Sequence, residues 1–453
     1  MTIDMLPDIA LLEIFDFYLV ESWDKPWITA WHTLVHVCQK WRTVVFVSPR
    51  RLNLRLYCTA KTPVREVLDI WPPLPISLSV FNGDIWGMDN VFAALEHNDR
   101  ICDLAFYAIP RSKIETVLAA MQHPFPELEI LHLQAGFNTM PVVPASFLGG
   151  SAPRLQRLFL DSIPFPGFPN LLLSAVHLVE LDLIEIPDSG YISPEAMFTC
   201  LSVLTRLERL VIEFYSRFFP DRESRRPLPQ TRILLPVFTR LQFKGVDEYL
   251  EYLVAGIDAP LLNNLEITFF HQDIFHTAQL TLFISRTPNF KARGEAHVYF
   301  SVIDVSVTLK KQTFDGELKL GVLCGIPYQQ FSSVAQVCNS FFPQALIPAV
   351  EHLYIGWEGH SNWQAEGYSE NNRWLEVLQP FTAVKDLYIS MAFTLHIAPA
   401  LQGLEGERVT DVLPSLQTLF LELLLSGHAQ EAIGQFVASR QLSGHPVTVS
   451  RWE

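Results

Sequence analysis

Leu128-Glu-Ile-Leu131-His-Leu133, Leu155-Gln-Arg-Leu158-Phe-Leu160, Leu178-Val-Glu-Leu181-Asp-Leu183 and Leu207-Glu-Arg-Leu210-Val-Ile212 share one pattern, apolar-x-x-apolar-x-apolar. The pattern returns at 238–243, 262–267, 350–355, 384–389 and 416–421, with copies spaced roughly 23 to 34 residues apart outside one long gap. Each copy reads as a short strand of period two, in which Leu131 and Leu133 face the interior while Ile130 and His132 face away. One such unit cannot bury its apolar face alone, so successive units must stack and share a core.

The periodicity predicts an α/β chain whose body, 58–453, is an irregular leucine-rich-repeat solenoid with a curved parallel sheet. Earlier units are expected at Ile101-Cys-Asp-Leu104-Ala-Phe106 and Ile76-Ser-Leu-Ser-Val80. The gap between Leu262 and Val350 is about three periods long, and two degenerate repeats are expected in it, with strands near 297–300 and 317–320. Segments at 114–121, 198–204, 248–253 and 374–378 have the spacing of short return helices. Many of the 31 prolines fall in the joints, where they end elements without interrupting a ladder.

The first 57 residues differ. Leu11, Leu12, Phe15 and Leu19 follow helical spacing after Leu6-Pro7, and Pro7 suits a first helical turn. After Pro26 a second stripe of Trp27, Trp31, Leu34, Cys38, Trp41 and Val45 alternates steps of four and three, which places them on one helix face. Ser48-Pro49 closes the helical region. So small a helical head has a marginal core and is expected to lean on a partner or on the first repeats.

With 453 residues, 49% hydrophobic and 18% charged, the chain is expected to be folded and of several domains or repeats. No apolar run approaches the roughly 18 residues needed to cross a bilayer, and acidic residues interrupt the N-terminal apolar stretch, so a soluble cytoplasmic or nuclear protein is expected, without membrane attachment. A formal charge of −15 disfavours nucleic acid. Arg222, Arg225 and Arg226 form a local exception, a solvated loop or an import or phosphate-binding patch. The six cysteines form no CxxC pair and read as buried, reduced thiols. No phosphate loop, GxSxG, HExxH or other metal-ligand spacing is present, and no cysteine sits in a cationic context. The sequence therefore predicts no cofactor, no metal and no catalytic residue.

Leu6-Pro7-x-x-x-Leu11-Leu12-x-Ile14-Phe15, followed by Val37-Cys38-x-x-Trp41-Arg42, resembles the F-box. The whole chain resembles the fungal F-box proteins with degenerate leucine-rich repeats common in basidiomycetes; Phe243-Lys-Gly-Val-x-Glu-Tyr-Leu250 and Arg440-Gln-Leu-Ser-Gly-His-Pro446 look typical of that group. The resemblance implies that the head docks a Skp-type adaptor and through it a cullin–RING ubiquitin ligase, while the repeats bind a protein substrate. The implied adaptor contacts are Leu6, Pro7, Leu11, Ile14, Phe15, Val37, Cys38, Trp41 and Arg42. Some of these must instead form the head's own core, and for Cys38 and Trp41 both roles stay open. The chain departs from the family in the insert Ser22-Trp-Asp-Lys-Pro-Trp27 and in having Arg51-Leu-Asn-Leu54 where a Leu-Trp pair is common. The alternative is a repeat scaffold with no ligase role.

In the body, the middle exposed position of each strand should line one face: His132, Phe159, Asp182, Val211, Gln242, Glu266, Tyr354, Tyr388 and Phe420. The last three predict an aromatic ladder and a substrate-binding surface, followed by a loop over 357–374 carrying Glu358, Trp363, Glu366, Tyr368 and Glu370. The same residue types would also serve if that loop simply covered the ladder.

Overall fold

The computed structural model describes residues 6–20, 30–49, 51–52, 54–81, 87–136, 142–165, 168–216, 227–291, 294–310, 316–324, 327–358, 371–404, 406–422 and 427–452. The 22–27 insert, the arginines of 222–226 and the Trp363 and Tyr368 loop lie outside them. The protein is a mixed α/β chain built on mostly parallel sheet, and compactness divides it into two units, 1–192 and 193–453. The head boundary expected near 57 falls inside the first.

The first unit opens with helices α1 (Asp8–Val20), α2 (Ala30–Val35) and α3 (Gln39–Val47). The Trp31-to-Val45 stripe is thus not one helix. It breaks after Val35, and Cys38 takes an extended conformation (φ −157°, ψ 170°) as the N-cap of α3, its Sγ accepting from the Trp41 N–H at 3.5 Å. The Arg42 Nε donates to the Val35 carbonyl at 3.0 Å, which holds the end of α2 against α3. Leu11, Phe15, Trp31, Leu34 and Val45 fill the head's interior. Trp31 also packs edge-on against Trp71 at 5.1 Å and donates to the Arg55 carbonyl at 3.1 Å. The small head therefore completes its core on Arg55 and Trp71, in the joints before and between the first of the strands that follow it.

Those strands are β1 (Leu56–Cys58), β2 (Ile76–Phe81), β3 (Ile101–Ile109), β4 (Ile130–Ala135), β5 (Arg157–Asp161) and β6 (Glu180–Ile186), paired in parallel and in chain order. Their register aligns the sequence pattern with itself: Leu131 with Leu158 with Leu181, and Leu133 with Leu160 with Leu183. All six are at most 5% exposed. Each buried leucine contributes about 1.5–3 kcal/mol.

The second unit contains β7 (Arg209–Phe214), β8 (Ile233–Leu234), β9 (Arg240–Gly245), β10 (Ile257–Asp258), β11 (Asn264–Phe270), β12 (Glu295–Phe300), β13 (Asp304–Lys310), β14 (Glu317–Leu323), β15 (His352–Trp357), β16 (Asp386–Ile389), β17 (Thr418–Leu421) and β18 (Thr448–Arg451). β8 and β10 form a separate parallel pair, and the others run β7-β9-β11-β14-β13-β12-β15-β16-β17-β18. Here the structure corrects the expectation for the long gap. Both expected strands exist, as β12 and β14, but they are not consecutive parallel repeats. A third strand, β13, lies between them and pairs antiparallel with each. The Ser301 N–H donates to the Asp304 carbonyl at 2.9 Å and closes the tight β12–β13 turn. The chain overshoots to β12, returns through β13 and β14 to pair with β11, and then crosses to β15 beside β12.

Return helices lie over the expected segments, at Arg111–Ala120, Pro194–Leu201, Asp247–Gly256 and Asn371–Leu378. The last helix, His428–Leu442, is anchored by a cation. Arg440 is fully buried and donates to the carbonyls of Val409 and Leu416, both at 3.1 Å, and more distantly to those of Leu413 and Pro414. Burial holds its guanidinium below the usual arginine range. Removing it would take a charged donor from this buried group of carbonyls and leave a cavity, so Arg440→Ala should lower unfolding free energy by about 3–5 kcal/mol in a denaturant titration, with the m-value unchanged.

Candidate functional site

Alternation along each strand leaves one row of side chains facing away from the helices, and the register shows which of them meet. In the first unit the row runs Ala105, His132, Phe159, Asp182. The His132 and Phe159 rings stack at 3.9 Å and 7°, and Tyr107 tilts against His132 at 4.4 Å with Phe81 stacked behind it at 4.8 Å. Asp182 is 9% exposed and Val211 in the second unit 1%, so neither offers a contact surface.

The second unit has a row of its own, Val211, Gln242, Glu266, Lys319, Thr308, His297, Tyr354, Tyr388, Phe420, Ser450. The expected ladder is present: Tyr354 and Tyr388 stack at 4.1 Å and 10°, Tyr388 and Phe420 at 4.4 Å and 5°. Its fourth ring, absent from the sequence reading, is His297, stacked on Tyr354 at 4.4 Å and 6°. Such spacings follow from the strand separation of about 4.8 Å, and each stacked pair adds about 0.5–1.5 kcal/mol beyond its burial. The ladder rings are half-buried, so their faces cover one another while their edges reach the surface.

Trp452 leans edge-on against Tyr354 and Tyr388, at 5.9 and 5.7 Å. Tyr299 occupies the neighbouring row opposite Gly356, where a Cβ would lie 3.2 Å from the Tyr299 ring. The glycine lets that ring lie down on the sheet. Burial, reinforced by a hydrogen bond with Tyr388, raises the Tyr354 hydroxyl pKa. Burial lowers the His297 pKa despite its 2.5 Å contact with Glu295. His352 meets Asp386 at 2.9 Å. Lys319 sits 3.3 Å from Glu266 and 4.0 Å from Glu358.

The residues that the F-box resemblance singled out divide into two groups. Leu11 and Phe15 are fully buried inside the head, and Phe15 meets Trp41 edge-on at 4.8 Å. Leu6, Cys38 and Trp41 are half-buried, whereas Pro7, Ile14, Val37 and Arg42 are exposed. Ile9 and Phe17, which the motif does not include, are each 67% exposed, and Tyr18 joins them on the outer side of α1. Helical spacing alone would have found them, because α1 carries apolar residues on every side, between Asp8, Glu13 and Asp16.

Elsewhere the chemistry is structural. Burial pushes the Cys58 and Cys200 thiols up to about 11 and Cys102 to about 12, and raises Cys338 as well, which makes all four poor nucleophiles. Glu251 is pushed up to about 7 by burial, against the N–H groups of Gln279 and Leu280 that it accepts at 2.8 and 2.7 Å. It caps the helix Ala278–Arg286. Among the described residues there is no metal-ligating cluster, and no helix is long and apolar enough to cross a membrane. No family model matches the chain, and no curated protein matches it.

His132 generates a pH prediction. Burial between rings lowers its pKa to about 4, below its ordinary 6.5, with Asp161 opposing the shift. A depressed histidine contributes stability that is complete above the unfolded value and is lost as pH falls through the folded one. His132→Phe keeps the stack and should remove part of the acid lability between pH 6.5 and 4, read as a flatter plot of Tm against pH. An unchanged plot would remove His132 as its source.

Proposed function

We propose that the chain is a non-catalytic two-part adaptor: the head docks a Skp-type adaptor of a cullin–RING ubiquitin ligase, and the body is a leucine-rich-repeat solenoid whose ladder face receives a protein substrate. The observation that carries the head reading is the composition of α1. α1 carries apolar side chains on every side, interrupted by Asp8, Glu13 and Asp16, and the apolar faces of a helix are normally covered. This one buries Leu11, Leu12 and Phe15 within the chain and exposes Ile9, Ile14, Phe17 and Tyr18. Together with the LPxxxLLxIF and VCxxWR signatures, that surface favours a protein partner, and its exposed anchors have the size and spacing of helix-face recognition.

Co-purification with a Skp-type adaptor tests this. Ile14→Asp with Phe17→Asp changes only exposed positions and should abolish association while leaving Tm within about 2 °C of wild type. Wild-type protein that fails to associate would end the ligase reading. Leu11→Asp should instead destabilise the head itself, because it places a charge in the core.

Substrate capture tests the body separately. Tyr354→Ala with Tyr388→Ala should leave adaptor association intact and reduce capture of substrate by at least about tenfold. Capture at wild-type level would discard the ladder as a recognition surface.

A further inference from the structure

The open face around the ladder has a charge pattern that names the chemistry of its partner. On β12, β15, β16, β17 and β18, together with the ladder extension beyond β16 and β17, the outward positions carry Glu295, Asp386 and Glu422 and no lysine or arginine. Arg451 alternates to the other side. Glu358 follows β15 at 59% side-chain exposure, while Lys319 and Lys310 stand at the border, on β14 and β13. Each of three acids has one carboxylate oxygen engaged internally: Glu295 with His297, Asp386 with His352, and Glu422 with the Met391 N–H at 2.7 Å.

Among the described residues the ladder also ends in an open step. Phe420 stacks on Tyr388 through one ring face, and its other neighbour in the row is Ser450, too small to cover the opposite face. Glu422 lies two residues further along the same strand, and Trp452 stands two residues beyond Ser450 on the next. The ladder continues through both, since Glu422 N–H donates to the Ile389 carbonyl and Trp452 N–H to that of Leu421. Beside them the Ser390 hydroxyl is buried with no hydrogen-bond partner among the described residues. A planar cation suits this step: it stacks on an aromatic face and donates to the Glu422 carboxylate oxygen that the Met391 N–H leaves open.

We infer that the ladder face binds an arginine-bearing peptide segment, one guanidinium stacking on Phe420 over Ser450 and pairing with Glu422. The inference rests on the reading of this face as a partner-binding surface and is independent of what the head docks.

Fluorescence anisotropy with the full chain and labelled alternating Arg-Ser, Lys-Ser and Glu-Ser dodecapeptides tests it. The Arg-Ser peptide should bind, weaken as salt rises, and bind about threefold or more tighter than Lys-Ser, with Glu-Ser not binding. Glu358→Gln, Asp386→Asn and Glu422→Gln together should weaken Arg-Ser binding about tenfold. Neutralising Glu66, Asp69 and Glu431, which are exposed but off this face, should leave it unchanged; equal loss in the two triple variants would reduce the effect to net charge and overturn the proposal. Phe420→Leu should erase the preference for arginine over lysine, and a preference that survives it would overturn the stacking site. If the triple variant fails to fold, Glu422→Gln alone decides, with about a threefold loss expected and none refuting the pairing. Adaptor co-purification reports on the head alone, so a failed head and a failed face give different results.

Discussion

Strand register is the constraint on which the structure depends. A strand such as β16 or β17 has four residues and two core-facing side chains, far too few to be stable alone. Leu387 and Leu419 are buried because the neighbouring strand presents Leu353 in register and the return helices close over all three. Period two makes this register strict, since a slip of one residue would turn every leucine outward. The outward row inherits the same precision. Tyr354, Tyr388 and Phe420 stack in parallel because the leucines beside them cannot move, so the rigidity of the ladder comes from the core behind it.

The antiparallel return of β12, β13 and β14 alters the chemistry of that row. In a uniform parallel array β14 would precede β15, and Lys319, which aligns with Glu266 on β11, would stand beside Tyr354. The reversal instead places Lys319 next to Glu266 and brings His297 against Tyr354. A neutral ring extends the ladder where an ammonium would have interrupted it. The absence of lysine and arginine from the outward positions of β15 to β18 and their neighbour β12 is therefore a consequence of topology as well as of composition.

The strands that carry the apolar-x-x-apolar-x-apolar pattern were legible because both the core pairs and the repeat spacing are local properties. β13 was not. Val302, Val305 and Val307 even fit the pattern, but they follow β12 too closely to be a separate repeat, and strand direction is decided by the two-residue turn Val302-Ile303 and by partners distant in sequence. His297 was missed for the same reason, since its place in the row exists only after the reversal. In the head, four-and-three spacing made α2 and α3 look continuous; Cys38 breaks them through its backbone, and a cysteine is a poor sequence signal for an N-cap. Leu11 and Phe15 matched a docking motif but are needed inside, as one helix cannot turn every motif residue outward.

The two surfaces differ in the forces they can use, and this separates what each can recognise. Around α1, Ile9, Ile14 and Phe17 offer apolar area with few polar partners, so association there would be driven by desolvation and would tolerate salt. The ladder face is unlike it. Its ring faces are already used on one another, which leaves edges, hydroxyls and carboxylates, and in the row the two end rings, His297 beside Thr308 and Phe420 beside Ser450, each have one face without a ring against it. Apolar burial alone would gain little there, because much of the aromatic area is already covered. A partner at the ladder would therefore be held by directional contacts: cation with carboxylate, donor with hydroxyl, and a stacked plane. A chain with one desolvation-driven surface and one charge-directed surface can hold a constant partner through the first and discriminate among variable partners through the second.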